Sequence, residues 1–198
     1  MIIRKQFRYE GSHVVRNCAS RRCSHSIHGH SAIVEIKFHA TTLDNAGMVM
    51  DFGLMGVLKE IVDSFDHSHD MWNRESKEMI DFFKRENERW IILPFNPTAE
   101  MLSLMFFAYA KHVIDHTVFK NNEGDVKVSS VCYHETATGY AEADASDYEG
   151  IWLPGYSLAD IEYSQGIRDD WSQALINLIL DGSVIENPDI PLQIIPDE

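Results

Sequence analysis

The sequence predicts an α+β domain, with strands toward both ends of a folded body and helices between them. Three observations predict it. Apolar residues alternate near 7–13, 28–38 and 126–143, the period of two that marks strands. Between those segments, apolar residues recur at three- and four-residue steps, the mark of amphipathic helices. No 20–50-residue repeat is present, which excludes a solenoid, and 198 residues that are 44% apolar suffice for one well-buried domain.

The elements follow in order. Phe7, Tyr9 and Gly11 alternate with Arg8, Glu10 and Ser12, and His13 continues the odd-numbered face. The polar stretch RNCASRRCSHS reads as a loop. In IHGHSAIVEIKFHA the residues His28, His30, Ala32, Val34, Ile36 and Phe38 are all even-numbered, so one strand points all six to the same side. TTLDNAGM is a turn. Asp51 caps a helix carrying Leu54, Val57, Leu58, Ile61, Val62 and Phe65, with its end expected at Asp66-His67. MWNRESKEM opens a helical stretch, and WIILPF is extended. Pro97 and Thr98 start a second strong helix through Leu102, Met105, Phe106, Tyr109 and Val113, and its Met and Phe residues read as core. After the turn 121–125, VKVSSVCYHETATGYAEA alternates as strand; Cys132 reads there as a small buried hydrophobe.

From Ala141 onward thirteen acids face one base, Arg168, whereas the preceding chain is nearly neutral. This shift divides the chain into a body, 1–143, and an acidic C-terminal extension, 144–198. In the extension SLADIEYS can cap a short helix. DDWSQALINLILDG is a helix striped by Trp171, Leu175, Leu178 and Ile179 and stopped by Gly182, and ENPDIPLQIIPDE is extended or loose. The extension is expected to pack on the body or on a neighbouring subunit. A net charge of −14 argues against nucleic-acid binding. No apolar run of about 18 residues predicts a membrane helix, and the N-terminus lacks the apolar core of a secretory signal. With three cysteines and no export signal, a reducing cytoplasm is expected.

Chemistry concentrates in RRCSHSIHGHS, residues 21–31. His28 and His30 share a strand face, and an antiparallel partner strand can bring His13 opposite them. Three neutral imidazoles suit Zn²⁺ and leave a fourth position for water or substrate, the catalytic arrangement. Gly29 between two ligands lets another backbone come close. Two other readings stand beside this one: a structural zinc held by Cys18, Cys23 and His28, and histidines that are merely surface polarity.

FRYEGSH, then C-S-H-S-I-HGHS, GMVMDF, FDH, NPTAE and HETATGYAEA, in that order, resemble the 6-pyruvoyl-tetrahydropterin synthase / 6-carboxy-tetrahydropterin synthase family over residues 1 to about 143. The resemblance implies a tunnelling fold (T-fold), an antiparallel sheet with a helix pair on one face, assembled as trimers and hexamers with active sites at subunit interfaces. It implies zinc ligands His13, His28 and His30, a catalytic Cys23, and acid–base partners Asp66 and His67. Glu135 would anchor the pterin ring, with Thr98 and Glu100 lining the pocket. The activity implied is that of a zinc-dependent lyase, by preference 6-carboxy-5,6,7,8-tetrahydropterin synthase of queuosine biosynthesis. The alternatives are 6-pyruvoyl-tetrahydropterin synthase and a silent pterin-binding protein. Four residues separate Cys23 from His28, between the three of the 6-carboxy branch and the five of the 6-pyruvoyl branch, so the spacing selects neither.

Each role has a physical basis. Cations lower a thiol's pKa and make it a proton acceptor, and Arg21, Arg22 and a zinc ion can supply that field. A carboxylate orients a neighbouring His and raises its basicity. A glutamate can accept two parallel N–H bonds from a 2-amino-pyrimidinone edge, and the cluster Arg16, Arg21 and Arg22 matches a triphosphate. The plainer readings are a helix-end ion pair for Asp66-His67, a solvated strand residue for Glu135 and loop solubility for the arginines. His25, His39, His69, His112 and His116 have no partner legible in the sequence.

Overall fold

The computed structural model describes residues 1–186. In chain order the body comprises β1 (Ile2–His13), the one-turn helix α1 (Arg21–Ser24), β2 (His28–His39), α2 (Gly56–Asp63) and β3 (His69–Trp72). It continues with α3 (Lys77–Glu86), β4 (Trp90–Leu93), α4 (Ala99–Asp115), β5 (Thr117–Val118), β6 (Lys127–Thr136) and β7 (Gly139–Asp144). Beyond them lie β8 (Glu162–Tyr163), the helix Gln173–Asp181 and β9 (Ile185–Glu186). Seven strands form one sheet in the order β7-β6-β2-β1-β3-β4-β8, and β5 pairs with β9. The architecture is the expected α+β one.

β1 and β2 pair antiparallel from Ile2↔His39 to His13↔His28. The even face of β2 buries Ala32, Val34, Ile36 and Phe38 against α2 and α4, so the alternation in the sequence is the packing pattern. α4 is buried along most of its length, from Leu102 to Ile114. β3 and β4 run parallel, which requires a crossover, and α3 supplies it over a small satellite core of Met71, Phe83 and Ile92.

β6 carries a bulge. Lys37 pairs with Ser130 and Phe38 with Val128, leaving Ser129 extra. Val128 therefore faces the main core before the bulge, and Val131 and Tyr133 face it afterwards. Beyond the bulge, Ser130, Cys132 and His134 belong to the opposite face.

Several local readings differ from expectation, and the loop RNCASRRCSHS contains the helical turn α1. Asp51 does cap, accepting from Gly53 N at 2.7 Å, but a 3-10 turn, Phe52–Met55, precedes α2. α2 ends at Asp63 rather than at Asp66-His67. The chain leaves it through tight turns, Phe65 N to Val62 O and Asp66 N to Asp63 O, and His67 has φ 58°. The stretch 127–143 is a hairpin of two strands, and β3 is an additional four-residue strand. SLADIEYS forms a 3-10 turn, Leu158–Asp160, and then β8.

The segment after β7 packs on the body. β8 pairs with β4, Leu175 and Leu178 are buried in the main core, and Trp171 Nε1 donates to Ser64 Oγ at 2.8 Å. Arg89 bonds Asp170 at 2.6 Å. Gly182 stops its helix with φ 67°, as the sequence predicts. The expectation for ENPDIPLQIIPDE falls, beyond Glu186, outside the described residues. No helix among the described residues is long and apolar enough to cross a membrane.

Candidate metal centre

β1 and β2 finish side by side, and their register sets His13 opposite His28 and Gly11 opposite His30. Ring centroids lie 4.6 Å apart for His13–His28 and 5.1 Å for the other two pairs. One nitrogen of each imidazole lies within 4.8 Å of the others. Such close approach of two strands needs Gly29: a Cβ there would stand 2.8 Å from the Gly11 carbonyl oxygen.

The electrostatics favour the neutral form of His13 and His30. Burial, then His28 and His30, push His13 down to about 3. Burial also lowers His30, opposed by Glu135. Neutral imidazoles keep the lone pairs a cation needs. Nε2 of His13 and of His30 are buried with no hydrogen-bond partner. The opposite sides of the rings are engaged, His28 Nδ1 with the Ser26 carbonyl at 3.1 Å and His13 with the Pro97 carbonyl. Carbonyl partners of this kind orient metal-binding histidines. Orphaned nitrogens aimed at one point fit a Zn²⁺ held by His13, His28 and His30. Among the described residues, Cys18, Cys23 and His28 do not converge, which removes the thiolate alternative.

Glu135, on the same face of β6, brings Oε1 to 3.5 Å from Nε2 of both His13 and His30. It closes the cluster rather than lying on a solvated face. Beneath it a small cavity is lined by Tyr9, His13, His30, Asp70 and Tyr133. The Tyr9 and Tyr133 hydroxyls share a hydrogen bond of 2.8 Å. Burial raises the fully enclosed Asp70 to about 7, opposed by the 2.7 Å bond it accepts from Ser68 Oγ. Asp70 and the tyrosine pair were not legible as site residues; the only signal was an acid inside a short apolar strand.

The remaining predicted residues are placed as follows. Cys23 is half-buried on α1, and its carbonyl accepts from Val15 N at 3.0 Å, which ties the thiol's loop to the chain just beyond His13. Asp66 Oδ2 accepts from His67 Nδ1 at 2.8 Å, while its Oδ1 accepts from Glu10 N. His67 and His30 line one shallow groove with Glu10, Ser12, Ser31 and Asn87. Thr98 caps α4, accepting from Met101 N at 3.3 Å, and Glu100 is exposed in its first turn. Arg21 and Arg22 are exposed on α1. Arg16 is not free for a triphosphate: it grips Glu75 at 2.5 and 2.9 Å and the Ser24 carbonyl at 2.8 Å. A cation the sequence reading passed over, Arg8, lines a groove beside Glu135 with Ser31 and His134.

Several histidines gain partners: His25 bonds Ser24 Oγ, His69 bonds Ser12 Oγ and stacks on Phe83, and His112 and His116 pack together. Cys132 is buried, but in polar company, with Lys37 Nζ donating to its Sγ at 3.4 Å.

Comparison with known proteins adds independent findings. A family model described as 6-pyruvoyl tetrahydropterin synthase matches residues 2–146. A Helicobacter pylori protein named 6-carboxy-5,6,7,8-tetrahydropterin synthase is 43% identical over 175 residues, 86% of this chain and 86% of its own. One of the same name from Aquifex aeolicus is 31% identical over 157 residues, 71% of this chain and 95% of its own. Among solved structures, an uncharacterized Wolinella succinogenes protein matches with TM-score 0.59 at 19% identity, covering 73% of this chain and 98% of that one. Plasmodium vivax 6-pyruvoyltetrahydropterin synthase matches at 0.52 and 15%, covering 72% and 97%. These two similarities concern the fold alone.

Proposed function

Because the chain belongs to the 6-pyruvoyl tetrahydropterin synthase family, we propose that it acts as a 6-carboxy-5,6,7,8-tetrahydropterin synthase. It would convert 7,8-dihydroneopterin triphosphate to 6-carboxytetrahydropterin, acetaldehyde and triphosphate, an early step toward 7-deazaguanine nucleosides such as queuosine. The observation that carries the reading is the convergence of His13, His28 and His30 with two orphaned nitrogens, closed by Glu135.

His13, His28 and His30 would hold Zn²⁺, which when bound supplies Lewis acidity to a side-chain oxygen of the substrate and acidifies the neighbouring C–H. Cys23 takes that proton. Asp66 holds Nδ1 of His67, leaving Nε2 as the second acid–base atom above the groove shared with His30. Glu135 accepts two N–H bonds from the pterin edge, which requires its carboxylate to turn from the imidazoles it faces. Thr98 and Glu100 line the ring pocket, and Arg21 and Arg22 bind the triphosphate. A trimer-based assembly would cover the exposed His67.

Incubation with 7,8-dihydroneopterin triphosphate tests the reading. Acetaldehyde with 6-carboxytetrahydropterin is expected. A 6-pyruvoyl product would transfer the assignment to the sister activity, and unchanged substrate would refute both. Cys23→Ala should retain its metal and lose about 100-fold or more in turnover. Undiminished turnover would remove the thiol from the mechanism.

A further inference from the structure

We propose that the opposite face of the sheet holds a second cation site, built by Glu35 of β2 with Cys132 and His134 of β6, for a divalent ion of the zinc type. Each of these residues brings one donor atom within 4.8 Å of the other two. Strand phase separates the two clusters. His28 and His30 are even-numbered on β2, whereas Glu35 is odd-numbered. On β6, beyond the bulge, Glu135 belongs to the imidazole face and Cys132 and His134 to the other. The second cluster therefore shares strands with the first but no residue and no face.

Among the described residues, the buried side-chain N and O atoms without a hydrogen-bond partner are His13 Nε2, His30 Nε2, Trp72 Nε1 and His134 Nε2. The first two belong to the three-imidazole cluster, and His134 repeats their signature beside a thiol and a carboxylate. A buried polar atom left unpaired is costly, so its recurrence at a convergence of donors points to a ligand. Glu35 is buried, and its Oε2 accepts from Gln6 Nε2 at 2.6 Å and from Arg4 Nη1. Those bonds orient the carboxylate and leave Oε1 as its open atom, as outer partners do for a ligating carboxylate. The His134 ring is braced by Tyr140, with centroids 5.0 Å apart.

Lys37 is the group that must be reconciled with a cation. Its Nζ stands 3.4 Å from Cys132 Sγ and 3.9 Å from Glu35 Oε1, but only 2.8 Å from Glu142 Oε1, which Ser130 Oγ also approaches at 2.6 Å. Glu142 thus anchors the ammonium at the margin. Arg4 and Lys37 balance Glu35 and Glu142, and loss of the thiol proton leaves one negative charge to receive the ion. Thiolate, imidazole and carboxylate together suit Zn²⁺ over Mg²⁺ or Ca²⁺. An ion there would staple β2 to β6 close to the bulge.

Full-length protein stripped with chelator and reloaded with Co²⁺ provides the test, because the three-imidazole site offers no thiolate. Wild type should show a near-ultraviolet thiolate-to-cobalt band. Cys132→Ser should abolish that band and lower bound cobalt by one ion per chain. His134→Gln should also lose one ion with the thiol still in place, a control should the serine variant fold poorly. Cys23→Ala and His28→Ala should keep the band. A wild-type spectrum without the band, a band that survives Cys132→Ser, or cobalt content unchanged in both second-site variants would overturn the proposal.

Discussion

Asp70→Asn isolates a buried carboxyl that keeps its proton near neutrality. Asp70 is 3% exposed, holds one hydrogen bond from Ser68, and is raised by burial from the ordinary 3.8 to about 7. A carboxyl whose folded pKa lies above its unfolded value leaves stability whole below about pH 4 and erodes it as pH rises toward 7. Three units at about 1.4 kcal/mol each give roughly 4 kcal/mol in total, of which about 2.5 kcal/mol falls between pH 5 and pH 8. His13 and His69, lowered to about 3 and about 4, act in the opposite sense, losing stability as pH falls below about 6.5. Both histidines remain in the variant, so the difference between the two proteins removes them. Urea unfolding in chelator at pH 5 and pH 8 should show Asp70→Asn gaining about 2.5 kcal/mol on wild type across that interval. A difference between the proteins that stays constant across the interval would refute the burial argument.

Two further substitutions test the architecture of the site. Gly29→Ala forces a Cβ to 2.8 Å from the Gly11 carbonyl and must spread β1 from β2. We expect a loss of about 1–3 kcal/mol in stability and weaker zinc retention in a chelator competition; wild-type retention would show slack between the strands. Thr98→Ala removes the cap on Met101 N and should cost about 1 kcal/mol in denaturation, restored by Thr98→Ser. A stability equal to wild type would remove Thr98's capping role.

Where one periodicity governs a segment, the sequence was readable. The even-numbered face of β2 holds both the histidines and the buried apolar residues Ala32, Val34, Ile36 and Phe38, so parity alone led to His28 and His30, and strand pairing to His13. Thr98 and Gly182 declared their helix ends through side-chain chemistry and a left-handed φ. Asp70 stayed hidden because β3 offers only four residues, too few for a period. Arg16 looked like an anion binder because its partner, Glu75, lies 59 positions away. Cys132 looked apolar because burial says nothing about company. Its neighbours Lys37 and Glu142 come from two other strands.

Ser129 resets the phase of everything downstream on its strand. Deleting that single residue while keeping the pairing of Val128 would leave Ser130 on Lys37 and Val131 on Ile36, so the kink would close and every side chain beyond it would keep its face. Glu135 would stay with the imidazoles. A lone loss within the regular ladder past Ser130 would instead exchange the two faces, so that strand can spare one residue only where it already carries one too many.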